Sequence, residues 1–175
     1  SEMCIRDRRM GIQKTIAAAL GITLLFSPRA VAEELDVRKE LYCLATNIYF
    51  ESRNQPQIGR VAVGLVTMNR VNSPKFPNTV CEVVHQAKYY PSGRIDLHSC
   101  QFSWYCDGKS DAVRNQKAWD ESMYSALFVY TSDPLLDVVD GALWYHATYT
   151  SPEWAKHFQK TVQINEHIFY KEREQ

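Results

Sequence analysis

Apolar positions recur at helical spacing through the segment that begins at Val37. Val37, Leu41, Leu44, Ala45 and Ile48 fall on one stripe of a wheel turning about 100° per residue. Asp36 stands just before them and is expected to cap the helix. The same wheel brings Glu51 about 40° from Val37, on the apolar side. No other acid lies between Glu40 and Glu82. Asn54-Gln-Pro56 should stop this helix, because a residue before proline is biased out of the α region. Burial disfavours a charged carboxylate and raises its pKa, as a general acid near neutral pH requires. The competing reading is a structural ion pair of Glu51 with Arg53 or Arg70.

A second helix is expected after Pro56, with Ile58, Val61, Ala62, Leu65, Val66, Met68 and Asn69 on a broad face. Val63 and Val71 fall outside that face, so the helix should be nearly surrounded. Gly59 and Gly64 permit a neighbour, expected to be the Glu51 helix, to approach closely. Thr79-Val-Cys-Glu82 spells a capping box for a short helix to about Ala87, which gives Glu82 a structural role. A further helix is expected from Asp111, as cap, to about Tyr130, with Trp119, Met123, Ala126, Leu127 and Tyr130 facing the core. Asp140-Gly141 suggests a small hairpin over 135–145. Ser151-Pro-Glu-Trp-Ala starts a short helix, and 160–170 reads as a last strand or extended tail.

The N-terminal stretch has a different pattern. Ser1 to Arg9 is unlike a folded segment and resembles translated adapter sequence, so Met10 is the expected start. Lys14, the apolar run Thr15 to Phe26 and Ala30-Val31-Ala32 together read as a signal peptide cleaved before Glu33. That run is too short for a membrane span. Residues 1–32 are thus assigned as upstream and signal sequence, and 33–175 as one catalytic domain without repeat or linker. The expected product is exported, periplasmic or extracellular, and monomeric.

The mature part carries 15 basic and 18 acidic residues, a net charge of −3. No basic stripe exists to hold nucleic acid. Its four cysteines, Cys43, Cys81, Cys100 and Cys106, read as two disulfides with three possible pairings. The short loop favours Cys100 with Cys106, leaving Cys43 with Cys81. Zinc-ligand spacing is absent and the histidines (85, 98, 146, 157, 167) are scattered, so no metal and no cofactor are expected. Residues 88–110 form a long irregular loop rich in aromatics, a length that tends to be functional. A disulfide there would hold Gln101, Ser103 and Trp104 in a small rigid loop, opposite Glu51 across a cleft.

The blocks Ala45-x-x-Ile-Tyr-Phe-Glu51-Ser-Arg53 and Gly59-x-x-Ala-Val-x-x-Val-x-x-Asn69-Arg70-Val71 come first. Phe76-Pro-x-x-Val-Cys-x-Val-Val, Gln101-Phe-Ser103, Gly141-Ala-Leu-x-Tyr145-His146, Pro152-x-Trp154 and His167-x-Phe-Tyr170 follow in order. Together they resemble the SleB-type cell wall hydrolases, which include spore cortex-lytic enzymes, over roughly residues 38 to 170. The resemblance implies an α+β, mainly helical, lysozyme-like domain with a small sheet or hairpin. It implies cleavage of the MurNAc–GlcNAc bond of peptidoglycan strands, with Glu51 as the catalytic glutamate. Members often read Glu-Ala-Arg-Gly-Glu where this chain has Glu51-Ser-Arg53-Asn54-Gln55, so the second carboxylate is an amide here.

A glycosidase that activates water uses two carboxylates, whereas a lytic transglycosylase can use one. The residues favour the second, since no acid matches Glu51 in its setting. Asp96 and Asp107, in the long loop, are the second carboxylates a hydrolytic muramidase would need. A binding module without catalysis is the remaining alternative. Arg53, Asn69, Arg70, Gln101, Ser103, Tyr145 and His146 are the candidates for holding substrate.

Overall fold

The computed structural model describes residues 28–97 and 99–173. The proposed signal segment up to residue 27 and His98 lie outside the described residues. Four helices, α1 (Pro28–Ser52), α2 (Gln57–Val71), α3 (Val80–Val84) and α4 (Gln116–Thr131), pack around one core. Three strands, β1 (Trp144–Ala147), β2 (Gln159–Ile164) and β3 (His167–Lys171), form an antiparallel sheet in the order β1-β3-β2. The fold is therefore mainly helical with a small sheet, as expected. Among the described residues no helix is long and apolar enough to cross a membrane.

α1 is the axis. Leu44, Ala45 and Ile48 are fully buried against Val61, Ala62 and Val66 of α2, Val83 and Val84 of α3, and Ala126 of α4. At Gly64 a Cβ would stand 3.0 Å from Ile48 Cδ1 of α1 and 3.2 Å from Val129 Cγ2 of α4. The bare backbone there lets three helices meet. Gly59 instead faces Gln55 and Asn165, at 2.9 and 3.0 Å from its missing Cβ.

Several local expectations are corrected. α1 begins at Pro28, so Asp36 is an exposed residue inside the helix rather than its cap. The intervening Ala, Glu, Leu and Arg residues are strong helix formers, and proline suits a first helical position. Val37 is exposed because this first part of α1 projects past its neighbours; burial begins at Glu40. Ile58 and Leu127 are exposed as well. Asn115, not Asp111, caps α4, its side chain accepting from Ala118 N at 3.0 Å. The Thr79 cap holds, its hydroxyl accepting from Glu82 N at 3.3 Å and donating to Glu82 Oε2 at 2.8 Å, though α3 ends at Val84.

No hairpin forms over 135–145. Asp137 accepts hydrogen bonds from Val139 N and Gly141 N, which closes a compact turn and takes those donors from any ladder. β1 pairs instead with β3 (Tyr145↔Phe169), and the true hairpin is β2–β3, turning at Asn165 with φ of 50°. Periodicity could not separate these cases, because strand partners are a long-range choice.

The structure joins Cys43 to Cys81 and Cys100 to Cys106, with Cα separations of 5.2 and 6.1 Å. The first ties α1 to α3 across 38 residues, and the second closes a loop of only 6. Loop-closure entropy then assigns about 4 kcal/mol to the first and about 2 kcal/mol to the second. Replacing Cys43 and Cys81 by Ser should lower the melting temperature by roughly 10 °C or more, and the Cys100/Cys106 pair about half as much. Equal losses in thermal melting would contradict this ranking.

Candidate active site

Glu51 sits in the last turn of α1, half-buried. The core contacts of Leu44 and Ile48 fix the helix rotation that turns it inward. Tyr145, delivered by β1, donates its hydroxyl to Glu51 Oε2 at 2.9 Å. Strand alternation places Phe169 and His167 on the same side of the sheet as Tyr145, with ring centroids 5.7 and 5.3 Å away. Burial raises the Glu51 pKa above 4.5, and the Tyr145 hydrogen bond and the Arg70 charge only partly oppose it. No ion pair links Glu51 to Arg53 or Arg70 in the structure, so the competing ion-pair reading fails.

Arg70, on α2, is 3 % exposed. Its Nε donates to Leu143 O at 2.8 Å. With the Gln101 amide oriented to suit its neighbours, its oxygen accepts from Arg70 Nη2 and Nη1 at 3.1 and 3.2 Å. The guanidinium lies between the rings of Phe76 and Phe102, at 5.4 and 5.0 Å. Burial lowers its pKa to about 10, which leaves it a cation at neutral pH. Its hydrogen-bond partners, the Leu143 carbonyl and the Gln101 amide, are both neutral.

Two pockets meet at Glu51, Ser103 and Tyr145. The larger, about 620 Å³, extends past Arg53, Asp107, Arg114 and His146. The smaller, about 290 Å³, is walled by Arg70, Gln101, Trp144 and Trp154. Gln101 and Ser103 thus share a pocket with Glu51. Phe102 points into the core, as does Trp104, whose Nε1 donates to buried Asn47 at 3.0 Å. Asn47 stands one turn before Glu51 and also donates to Thr67 at 3.1 Å, which registers loop, α1 and α2 against one another.

His146 contacts Ala147 O through Nδ1 at 2.8 Å and the Tyr170 hydroxyl through Nε2 at 3.0 Å. Arg53 is exposed on the large pocket, 4.9 Å over the Tyr49 ring. Asn69 lines neither pocket: its amide donates to Asp137 at 3.0 Å and Ala142 O at 3.2 Å and braces the turn before β1. Asp96 lines neither pocket. Asp107 does line the large one, but Lys109 N and Nζ bond it at 2.8 and 3.1 Å and hold its carboxyl below the usual range. Gln55 is buried and donates to Glu166 at 2.7 Å, a position where a second carboxylate would meet like charge. Among the described residues no group of three or more His, Cys, Asp or Glu is placed to hold a metal ion.

Residue-level reasoning missed Asn47, Tyr49, Arg114, Trp144 and His167. His167 is buried on the large pocket, and its Nδ1 has no partner among the described residues. Its block with Phe169 and Tyr170 was the available signal.

The family model for Cell Wall Hydrolase matches residues 54–170, beginning just after Glu51. The spore cortex-lytic enzyme of Oceanobacillus iheyensis is 30% identical over 138 residues, covering 77% of this chain and 42% of that protein. The spore cortex-lytic enzyme of Bacillus subtilis is 29% identical, covering 74% and 37%. The chain thus spans about two fifths of the length of these relatives. The catalytic domain of germination-specific lytic transglycosylase SleB from Bacillus anthracis superposes with a TM-score of 0.56 at 27% identity, covering 77% of this chain and 95% of that one. The catalytic domain of the Bacillus cereus SleB protein gives 0.53 at 29%, covering 77% and 91%. The helical core, the sheet and the matched blocks agree, and the chain belongs to the cell wall hydrolase family.

Proposed function

We propose that residues 33–175 form an exported domain that cleaves the MurNAc–GlcNAc bond of peptidoglycan as a lytic transglycosylase. The observation that carries this reading is a single half-buried carboxyl placed where two pockets meet and held by the Tyr145 hydroxyl, in a setting whose burial raises its pKa. Protonated Glu51 gives its proton to the glycosidic oxygen as the C1–O bond breaks. The resulting carboxylate, hydrogen-bonded by Tyr145 and near the Arg70 charge, takes the proton from the muramyl 6-hydroxyl as O6 closes on C1. Glu51 is protonated again at the end, so no water and no second carboxylate enter the cycle. The two disulfides suit an oxidising compartment.

A hydrolytic muramidase is the second reading, since Asp107 lines the large pocket. Lys109 keeps that carboxyl ionised, as a base or nucleophile would be, yet its oxygens are already engaged. Mass spectrometry of fragments from purified cell wall separates the two. Anhydromuramyl ends, one water lighter than reducing ends, are expected. Reducing ends carrying oxygen from labelled solvent water would overturn the transglycosylase reading, and absence of fragments would overturn cleavage itself.

A further inference from the structure

The two pockets on either side of Glu51 differ in chemistry. Trp144, Trp154 and Gln101 dominate the smaller, and its one cation besides the acid, Arg70, is buried and occupied. The larger has twice the volume, about 620 against 290 Å³, and is ringed by exposed charge. On its wall Lys109 is paired with Asp107 at 3.1 Å. Arg53 and Arg114 line the same wall without an ion pair among the described residues. Buried Tyr49 touches the Arg53 side chain and the backbone at Arg114. The Tyr49 ring lies 4.9 Å under the Arg53 guanidinium, and its hydroxyl accepts from Arg114 N at 3.3 Å.

We infer that the larger pocket binds the muramyl residue together with its peptide stem, Arg53 and Arg114 receiving stem carboxylates, and the smaller pocket binds the leaving glucosaminyl residue. This rests on the cleavage reading proposed above. Guanidinium groups match carboxylates in a planar, bidentate way, and two such residues lining one pocket fit a short acidic peptide better than a neutral sugar. Stacking on Trp144 and Trp154 suits the apolar face of an unsubstituted sugar, which needs no counter-charge.

The test uses the purified chain on two substrates, intact peptidoglycan and the same material stripped of stems by an N-acetylmuramoyl-L-alanine amidase. Wild type should favour intact wall by about tenfold in kcat/KM, the scale of charge-assisted hydrogen bonds on an exposed wall. In Arg53→Gln/Arg114→Gln that ratio should fall toward one, through KM rather than kcat. Arg53→Lys/Arg114→Lys should keep part of it. Circular dichroism checks that these exposed substitutions leave the fold intact. If wild type cuts both substrates equally, or the Gln variant keeps the wild-type ratio, this inference falls while the cleavage reading stands. If wild type releases nothing from either, both fall.

Discussion

Glu51→Gln should keep the fold and lower wall lysis by at least 10²–10⁴-fold, the usual contribution of a general acid–base group. The substitution is isosteric, so it opens no cavity and retains an acceptor for the Tyr145 hydroxyl. Stability should move the other way. The folded-state pKa of Glu51 is raised by burial, so its ionised form costs the native state free energy. That cost is absent below the ordinary value of 4.5, grows as pH rises through the window up to the raised folded-state pKa, and then stays constant. The Gln variant should therefore melt above wild type at neutral pH, with the difference shrinking toward pH 4. Fragment release and melting curves across that range check both parts. Lysis within a few-fold of wild type would remove Glu51 from the catalytic role.

Arg70→Met should be the most damaging change outside Glu51. It leaves Leu143 O and the Gln101 oxygen without a donor, at about 1–3 kcal/mol each. It also removes the positive charge that holds the Glu51 pKa down, so that pKa should climb further. Activity that requires protonated Glu51 fades as pH rises through its pKa, so the alkaline limb of the rate profile should shift to higher pH. Arg70→Lys keeps the charge but not the fork, and should restore the limb more than the melting temperature. An unmoved limb in Arg70→Met would separate Arg70 from the acid and leave it as packing alone.

The inward turn of Glu51 was legible in the sequence because it depends on one local quantity, the helical phase relative to Leu44 and Ile48. The Thr79–Glu82 cap and the loop closed by Cys100 and Cys106 were legible for the same reason. Phase failed where it had nothing to pack against: Val37 shares the stripe yet lies exposed on the projecting part of α1. The residues that give Glu51 its chemistry were only partly legible. Tyr145 stood in a recognised block, but its hydrogen bond to Glu51 spans 94 positions and depends on β1 pairing with β3. Asn69 and Arg70 are adjacent and looked equivalent. The step of about 100° between adjacent residues of α2 sends the first to Asp137 and the second to Gln101. By itself the sequence determined which carboxyl enters the interior and that Cys100 and Cys106 are near enough to join. Only the tertiary structure decided which hydroxyl and which guanidinium face that carboxyl, because strand pairing and helix packing are set by the burial of the whole chain and not by any one segment's period.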